Sequence, residues 1–304
     1  MNTPKRASPR HRSRLSRLAE RADRPIFFVF GVVGLVALAV ILFFVIREAV
    51  PVFRYVSASE LLGPSWYPTS EPPFFGALPM IAATGLVTLG ALLLAIPLGF
   101  ASAGFVSEIA PPAFRDLAKS LLELLAAIPS VVYGFFGLTV VAPFVQRAFG
   151  LPTGQNALTA SLILGLMALP TVASLAEDAL TAVPKAHREA SLALGASRWE
   201  TTWRVVFPSA FSGLFGAAVL GMGRAVGETM AVLMVAGNSP VLTWSFLRPV
   251  RTLTAGIALE MAEAPYRSVH YHALFMLGAI LLLITLATNG LAEWLRGRVA
   301  RQGE

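Results

Sequence analysis

VPKAHREASLALGASRWETTWRVVFP, residues 183–208, is a charged interval set between two strongly apolar stretches. Pro184 suits a helix start, where its missing N–H is one of the donors left unpaired anyway, and Gly195 suits the left-handed residue that closes a helix. Ser197 and Glu200 have the S-x-x-E form of a capping box, in which hydroxyl and carboxylate satisfy N–H groups reciprocally. A second helix therefore starts at once, with Glu200 and Arg204 paired four apart. The spacing predicts helix, sharp turn, helix. On the first helix Ala186, Ala190 and Ala193 with Leu194 form a small face, flanked by the charges of Lys185, Arg188 and Glu189. Such a face fits docking into a groove on another protein, and it equally fits a surface helix resting on lipid headgroups.

Outward from this interval the chain is membrane-grade. Of its 304 residues 56% are hydrophobic and only 13% charged, with a mean hydropathy of +0.69. The apolar residues gather into runs of roughly 20 or more, the length a helix needs to cross about 30 Å of hydrocarbon. Six spans are expected, near residues 26–46, 79–106, 120–145, 157–178, 206–236 and 270–294, so the fold class is an all-α integral membrane protein. Its expected parts are a basic tail (1–25), a first span (26–46), an external loop (47–77), a five-helix core (78–294) holding the 184–208 segment, and a second tail (295–304). The first run, at about 21 residues, exceeds a typical signal-peptide core, and the nearest small-x-small triplet, Ser57-Ala58-Ser59, lies well beyond it. We read it as an uncleaved span.

The net charge of +7 is a statement about topology, not nucleic acid, since eight of the 24 Lys and Arg precede the first span. With both ends on the cytoplasmic side, seventeen Lys and Arg fall in inside segments and six outside, which favours that orientation. Pro97, Pro129, Pro170 and Pro208 lie in or beside spans and predict kinks or breaks that neighbouring helices must compensate. Gly213, Gly216, Gly221, Gly223 and Gly227 fit close approach of a partner helix or ordinary packing within the chain. The segment 251–263 is too charged to span and is expected to lie at the interface as an amphipathic helix.

Cysteine is absent, which excludes disulfides, thiolate metal sites and cysteine nucleophiles. His270 and His272 are close together beside an apolar run, where an interfacial placement fits better than a metal site. No phosphate-cradling G-x4-G-K-[ST] loop is possible, because the lysines are Lys5, Lys119 and Lys185 and none follows glycine. Glu108, Glu123, Glu177 and Asp178 have no histidine neighbours in sequence, so a membrane enzyme is the weakest function class and no catalytic residues are assigned.

GRAVGETMAV, residues 223–232, places two charges inside an apolar run. Arginine near a bilayer centre costs about 2.5–3.5 kcal/mol on insertion scales, so Arg224 needs a partner, a wet cavity or both. Glu228 lies four residues on, on the same face of a continuous helix. The two form a local ion pair that lets the helix insert, or they line a path for a charged solute. A guanidinium offers a planar, permanently charged fork to an oxyanion.

Glu189-Ala190-Ser191, then Gly195, then Val205-Val206-Phe207-Pro208 resembles the EAA loop, E-A-A-x3-G-x9-I-x-L-P, of bacterial ABC importer permeases. Ser191, Val205 and Phe207 depart from the pattern conservatively. The stretches Ala127–Gly137, Gly223–Asn238 and Thr252–Met261 narrow the resemblance to the PstC family of phosphate-importer permeases over residues 78–294. The resemblance implies a type I, MetI-like core of six transmembrane helices in the bacterial cytoplasmic membrane, multi-pass, with both termini cytoplasmic. It implies that Arg188, Glu189, Ala190, Ser191 and Gly195 belong to a coupling helix seated on a cytoplasmic ATPase, and that Arg224 and Glu228 serve transport. The implied partners are a second, PstA-like permease, a PstB-like ATPase dimer, a periplasmic PstS-like phosphate-binding protein and membrane lipid, without nucleic acid. This chain binds no cofactor or metal of its own on that reading, and ATP is used by the partner ATPase. A related oxyanion such as molybdate or sulfate, an ion-gradient transporter or channel, and a phosphate-sensing scaffold are the competing readings.

Overall fold

The computed structural model describes residues 14–302; residues 1–13 of the expected basic tail and residues 303–304 lie outside the described residues. The chain divides into two units, Met1–Glu48 and Ala49–Glu304. The first contains most of helix α1 (Arg14–Ala49). The second begins with a 3-10 turn (Val50–Arg54), a short α2 (Ala58–Leu61) and a hairpin of β1 (Trp66–Tyr67) and β2 (Phe74–Phe75), paired antiparallel with Trp66 opposite Phe75. The remainder is helical: α3 (Leu78–Gly104), α4 (Pro112–Ala127), α5 (Ser130–Phe136), α6 (Ala142–Phe149), α7 (Ala157–Thr181), α8 (Lys185–Ala193), α9 (Arg198–Thr201), α10 (Phe207–Ser209), α11 (Phe211–Val226), α12 (Met230–Val235), α13 (Leu253–Glu260) and α14 (Val269–Gln302).

Among the described residues five helical segments are long and apolar enough to cross a membrane: Phe27–Arg54, Leu78–Ile109, Ser130–Phe149, Ala157–Thr181 and Val269–Trp294. A sixth is a broken pair, Arg198–Ser209 and Phe211–Val226, bent by 71°. The bend follows Pro208, whose ring cannot continue the hydrogen-bond ladder. Pro129 acts similarly. It divides the expected 120–145 span into α4, which has no buried residues, and a true span that starts at Ser130 and runs through α6. Pro97 and Pro170 sit within α3 and α7 without ending either helix.

The core is the pairing of α3 with α7. Ala83, Val87, Ala91, Ala95, Gly99 and Ala103 recur every four residues on α3, so one narrow face is small, and all of them are buried. Lipid tails are as apolar as leucine, so helices in a bilayer gain from close van der Waals packing that small faces permit. Val172 of α7 shows how close the packing is. A Cβ at Gly99 of α3 would lie 2.8 Å from its side chain, and one at Gly221 of α11 would lie 2.5 Å from it. Of the five glycines in the 213–227 region, Gly213 and Gly221 are thus spent on intrachain packing. At Gly216 and Gly223 an added Cβ would meet nothing within 4 Å, so both face open space.

At the end opposite α8, the loop after α1 meets the loop between α12 and α13 through the bridge Ser65 to Val241, and that second loop closes on itself through the bridge Gly237 to Val250. Val52, Trp66, Phe75, Met80, Leu253, Leu274 and Leu277 form a buried cluster there. The expectation of an interfacial amphipathic helix at 251–263 is corrected by this packing. Leu253, Thr254, Ala255 and Gly256 of α13 are buried, and Gly256 lies directly against Met80.

Candidate functional site

The 183–208 interval folds as its caps dictate. Pro184 precedes the first turn of α8, Gly195 takes φ +87°, and Ser197 opens α9 with the reciprocal capping box. Glu200 N–H donates to Ser197 Oγ at 3.2 Å, and Ser197 N–H donates to Glu200 Oε2 at 2.9 Å. The expected Glu200–Arg204 pair makes no contact within 4 Å among the described residues, since the carboxylate is committed to the cap, and Arg204 acts on it through charge alone. Ser191, standing where the EAA pattern has alanine, uses its hydroxyl in a 2.9 Å hydrogen bond with Thr201 that ties α8 to α9.

The two faces of α8 differ. Glu189 and Ala190 are exposed, and Leu194 just beyond the helix is 90% exposed, a large apolar side chain that nothing among the described residues covers. Arg188 turns the other way. Its Nη2 and Nε donate to the two oxygens of Glu108 at 2.8 and 3.3 Å, while Nη2 and Nη1 also donate to the carbonyls of Leu180 and Val183 at 2.8 and 2.5 Å. Glu108 lies in a π-helical turn, Phe105–Ile109, that extends α3. Nearby, Lys119 of α4 contacts Glu177 and Asp178 at 2.9 Å each, and its hydrogen bonds to Asp178 and then Glu177 raise its pKa above the ordinary lysine value.

Arg224 and Glu228 do not share a helix face. α11 ends at Val226 and α12 begins at Met230, so the residues between them leave the helical ladder. Arg224, half-buried in the last turn of α11, donates Nη1 to Thr171 Oγ1 of α7 at 3.0 Å. Among the described residues no carboxylate lies within 4 Å of it. Glu228 accepts from the Ala231 N–H at 3.1 Å, and its carbonyl accepts from Thr254 Oγ1 at 2.7 Å. Each charge sits where backbone dipoles favour it, the cation at a helix C-terminus and the carboxylate at the N-terminal turn of α12. Among the described residues the guanidinium is held by one neutral hydroxyl, with donors to spare for an anion.

Thr84 and Thr252 complete this polar centre. The Leu253 N–H donates to Thr84 Oγ1 at 3.0 Å, and Thr252 caps α13 through the Ala255 N–H at 3.3 Å. Sequence reasoning missed a further cluster, built around the other end of α13. Glu260 accepts from Trp66 Nε1 at 2.9 and 3.1 Å, pairs with Arg251, and lies 2.8 Å from His270 Nε2. The sequence signal was present in Arg251 and Glu260, charges inside a segment otherwise apolar enough to be buried. Their partners Trp66 and His270 are remote in sequence, so no local spacing announces them.

A bundle of broken and small-faced helices, a capped helical handle and a guanidinium within a span fit a membrane permease. The chain belongs to the family of binding-protein-dependent transport system inner membrane components, whose family model matches residues 95–301. It is similar to the phosphate transport system permease protein PstC of Mesorhizobium japonicum, with 36% identity over 286 residues covering 88% of this chain and 86% of the relative. It is also similar to the probable ABC transporter permease protein YqgH of Bacillus subtilis, with 43% identity over 234 residues covering 77% of this chain and 76% of the relative. Among solved structures, a chain of a bacterial alginate ABC transporter aligns with a TM-score of 0.62 at 14% identity, over 92% of this chain and 98% of that one. A chain of the inward-facing MetNI methionine ABC transporter aligns with a TM-score of 0.56 at 18% identity, over 73% and 94%. The fold is that of a type I ABC importer permease, and the chain is a multi-pass membrane protein.

Proposed function

We propose that this chain is the transmembrane permease subunit of an ATP-driven importer and carries inorganic phosphate across the bacterial cytoplasmic membrane. The observation that carries this reading is the similarity to phosphate permeases over nearly the whole length of both chains. The translocating unit is the five-helix core, 78–294. Both termini are cytoplasmic, as the excess of Lys and Arg on that side supports.

Phosphate at neutral pH is an oxyanion whose oxygens match the guanidinium fork. Arg224 makes the span tolerable for it, with Thr171 fixing the fork. Glu228, held at the start of α12, limits how tightly the anion is retained, since conduction needs a site that also lets go. α8 is the coupling helix: Glu189, Ala190, Gly195 and the exposed Leu194 face a cytoplasmic ATPase, while Ser191 and Arg188 hold the helix to the spans. The partners are a PstA-like permease, a PstB-like ATPase dimer and a periplasmic PstS-like binding protein. ATP is consumed by the ATPase pair, and this chain supplies no catalytic group.

The reading is tested by labelled phosphate uptake into vesicles holding the assembled complex. Uptake that needs ATP and the binding protein and survives dissipation of the proton gradient supports it. Uptake that persists without the ATPase and collapses with the gradient overturns it in favour of an ion-gradient transporter.

A further inference from the structure

For ATP closure to reorient the pathway, displacement of α8 must reach the spans. Among the described residues, α8 is tied to the rest of the chain by two polar side chains, Ser191 to Thr201 of α9 and Arg188 to α3 and α7. The second tie is the stronger. The Arg188 and Glu108 side chains are only 20% and 12% exposed. They meet across 80 positions of sequence with both carboxylate oxygens engaged, at 2.8 and 3.3 Å. A two-point charge-assisted fork fixes orientation as well as distance, which a single lysine contact does not.

The same guanidinium also caps the end of α7. The Leu180 carbonyl in its last turn, which also accepts from the Val183 N–H at 3.3 Å, and the Val183 carbonyl just beyond it accept from Nη2 and Nη1 at 2.8 and 2.5 Å. A cation there is favoured by the helix dipole as well. One side chain of α8 therefore holds the ends of the two most intimately packed spans at once. Further along α7, about 14 Å from Leu180 at 1.5 Å per residue, Thr171 holds Arg224.

We propose that Arg188 and Glu108 are positioning residues for transport, forming the joint through which movement of the coupling helix reaches α3 and α7 and thereby the Thr171–Arg224 contact. Neither residue touches ATP or phosphate. Without the joint α8 still docks and the ATPase still turns over, but hydrolysis no longer drives the spans. This inference rests on the importer reading above.

The test is the ratio of phosphate transported to ATP hydrolysed by the reconstituted full complex. Wild-type complex lacking ATP-driven uptake counts against the importer reading itself, before the joint is considered. Given wild-type uptake, Glu108→Gln is expected to lower the ratio at least about fivefold, the low end of measured intersite couplings, with assembly and hydrolysis retained. Arg188→Lys, which keeps charge and loses the fork, gives an intermediate ratio. A joint that only stabilises the fold lowers uptake and hydrolysis together, leaving the ratio unchanged. A wild-type ratio in Glu108→Gln overturns the proposal. If that variant assembles poorly, Glu108→Asp, which shortens the reach by one methylene, is read in its place: a reduced ratio supports the joint and a wild-type ratio overturns it.

Discussion

Arg224 binds Thr171 of α7 at 3.0 Å and not Glu228, four residues further along its own chain. The break between α11 and α12 sends the two charges to different neighbours, so neither neutralises the other. A local ion pair would have explained insertion and nothing else. Separation gives each charge its own stabilisation and leaves the guanidinium receptive to an anion.

Arg224→Gln retains a donor for Thr171 and removes the charge. Phosphate uptake by the assembled complex is expected to fall at least about tenfold, the scale of losing one charge-assisted hydrogen bond of roughly 1.5–3 kcal/mol. Initial uptake rates, normalised to complex abundance, check this. Wild-type rates would remove Arg224 from the path.

Glu228→Gln separates two roles of that side chain. A glutamine oxygen still accepts from the Ala231 N–H, so α12 keeps its start and the complex assembles. The lost negative charge strengthens the hold of Arg224 on phosphate, so KM for uptake is expected to fall together with turnover. Unchanged KM and turnover would show that Glu228 only shapes the backbone.

Glu189→Lys alters an exposed residue, where substitutions usually change stability by less than about 0.5 kcal/mol. The chain should therefore insert and fold normally. ATPase association, measured by co-purification, or the dependence of hydrolysis on delivered phosphate should be lost. Retention of both would place the docking contact elsewhere.

Much of this was legible in the sequence because it depends on local rules. Pro184, Gly195, Ser197 and Glu200 are read from neighbours one to four positions away, and α8, its turn and its cap follow. Span existence follows from run length alone. What failed was continuity. The apolar run 206–236 looks unbroken, yet Pro208 and the Gly227–Thr229 break divide it, and the assumed Arg224–Glu228 register disappears with the helix. Long-range partners such as Trp66 with Glu260, 194 positions apart, leave no mark in spacing.

Glu260→Ala is the stability counterpart of these functional variants. It strips the shared acceptor from Trp66, Arg251 and His270, leaving a half-buried guanidinium without its carboxylate. Breaking such a pair from one side costs about 3–5 kcal/mol, so a clearly lower Tm of the detergent-solubilised complex is expected. Glu260→Gln, which still offers an oxygen to Trp66, should recover part of the loss. An unchanged Tm in the alanine variant would mean the cluster contributes little to the fold.

The most direct measurement is initial uptake of labelled phosphate by vesicles containing the full complex, with ATP supplied and excess unlabelled phosphate, molybdate or sulfate competing. The account predicts ATP-dependent uptake that unlabelled phosphate suppresses and the other two oxyanions leave nearly intact. Uptake suppressed by molybdate or sulfate as strongly as by phosphate, or no ATP-dependent phosphate uptake at all, would contradict it.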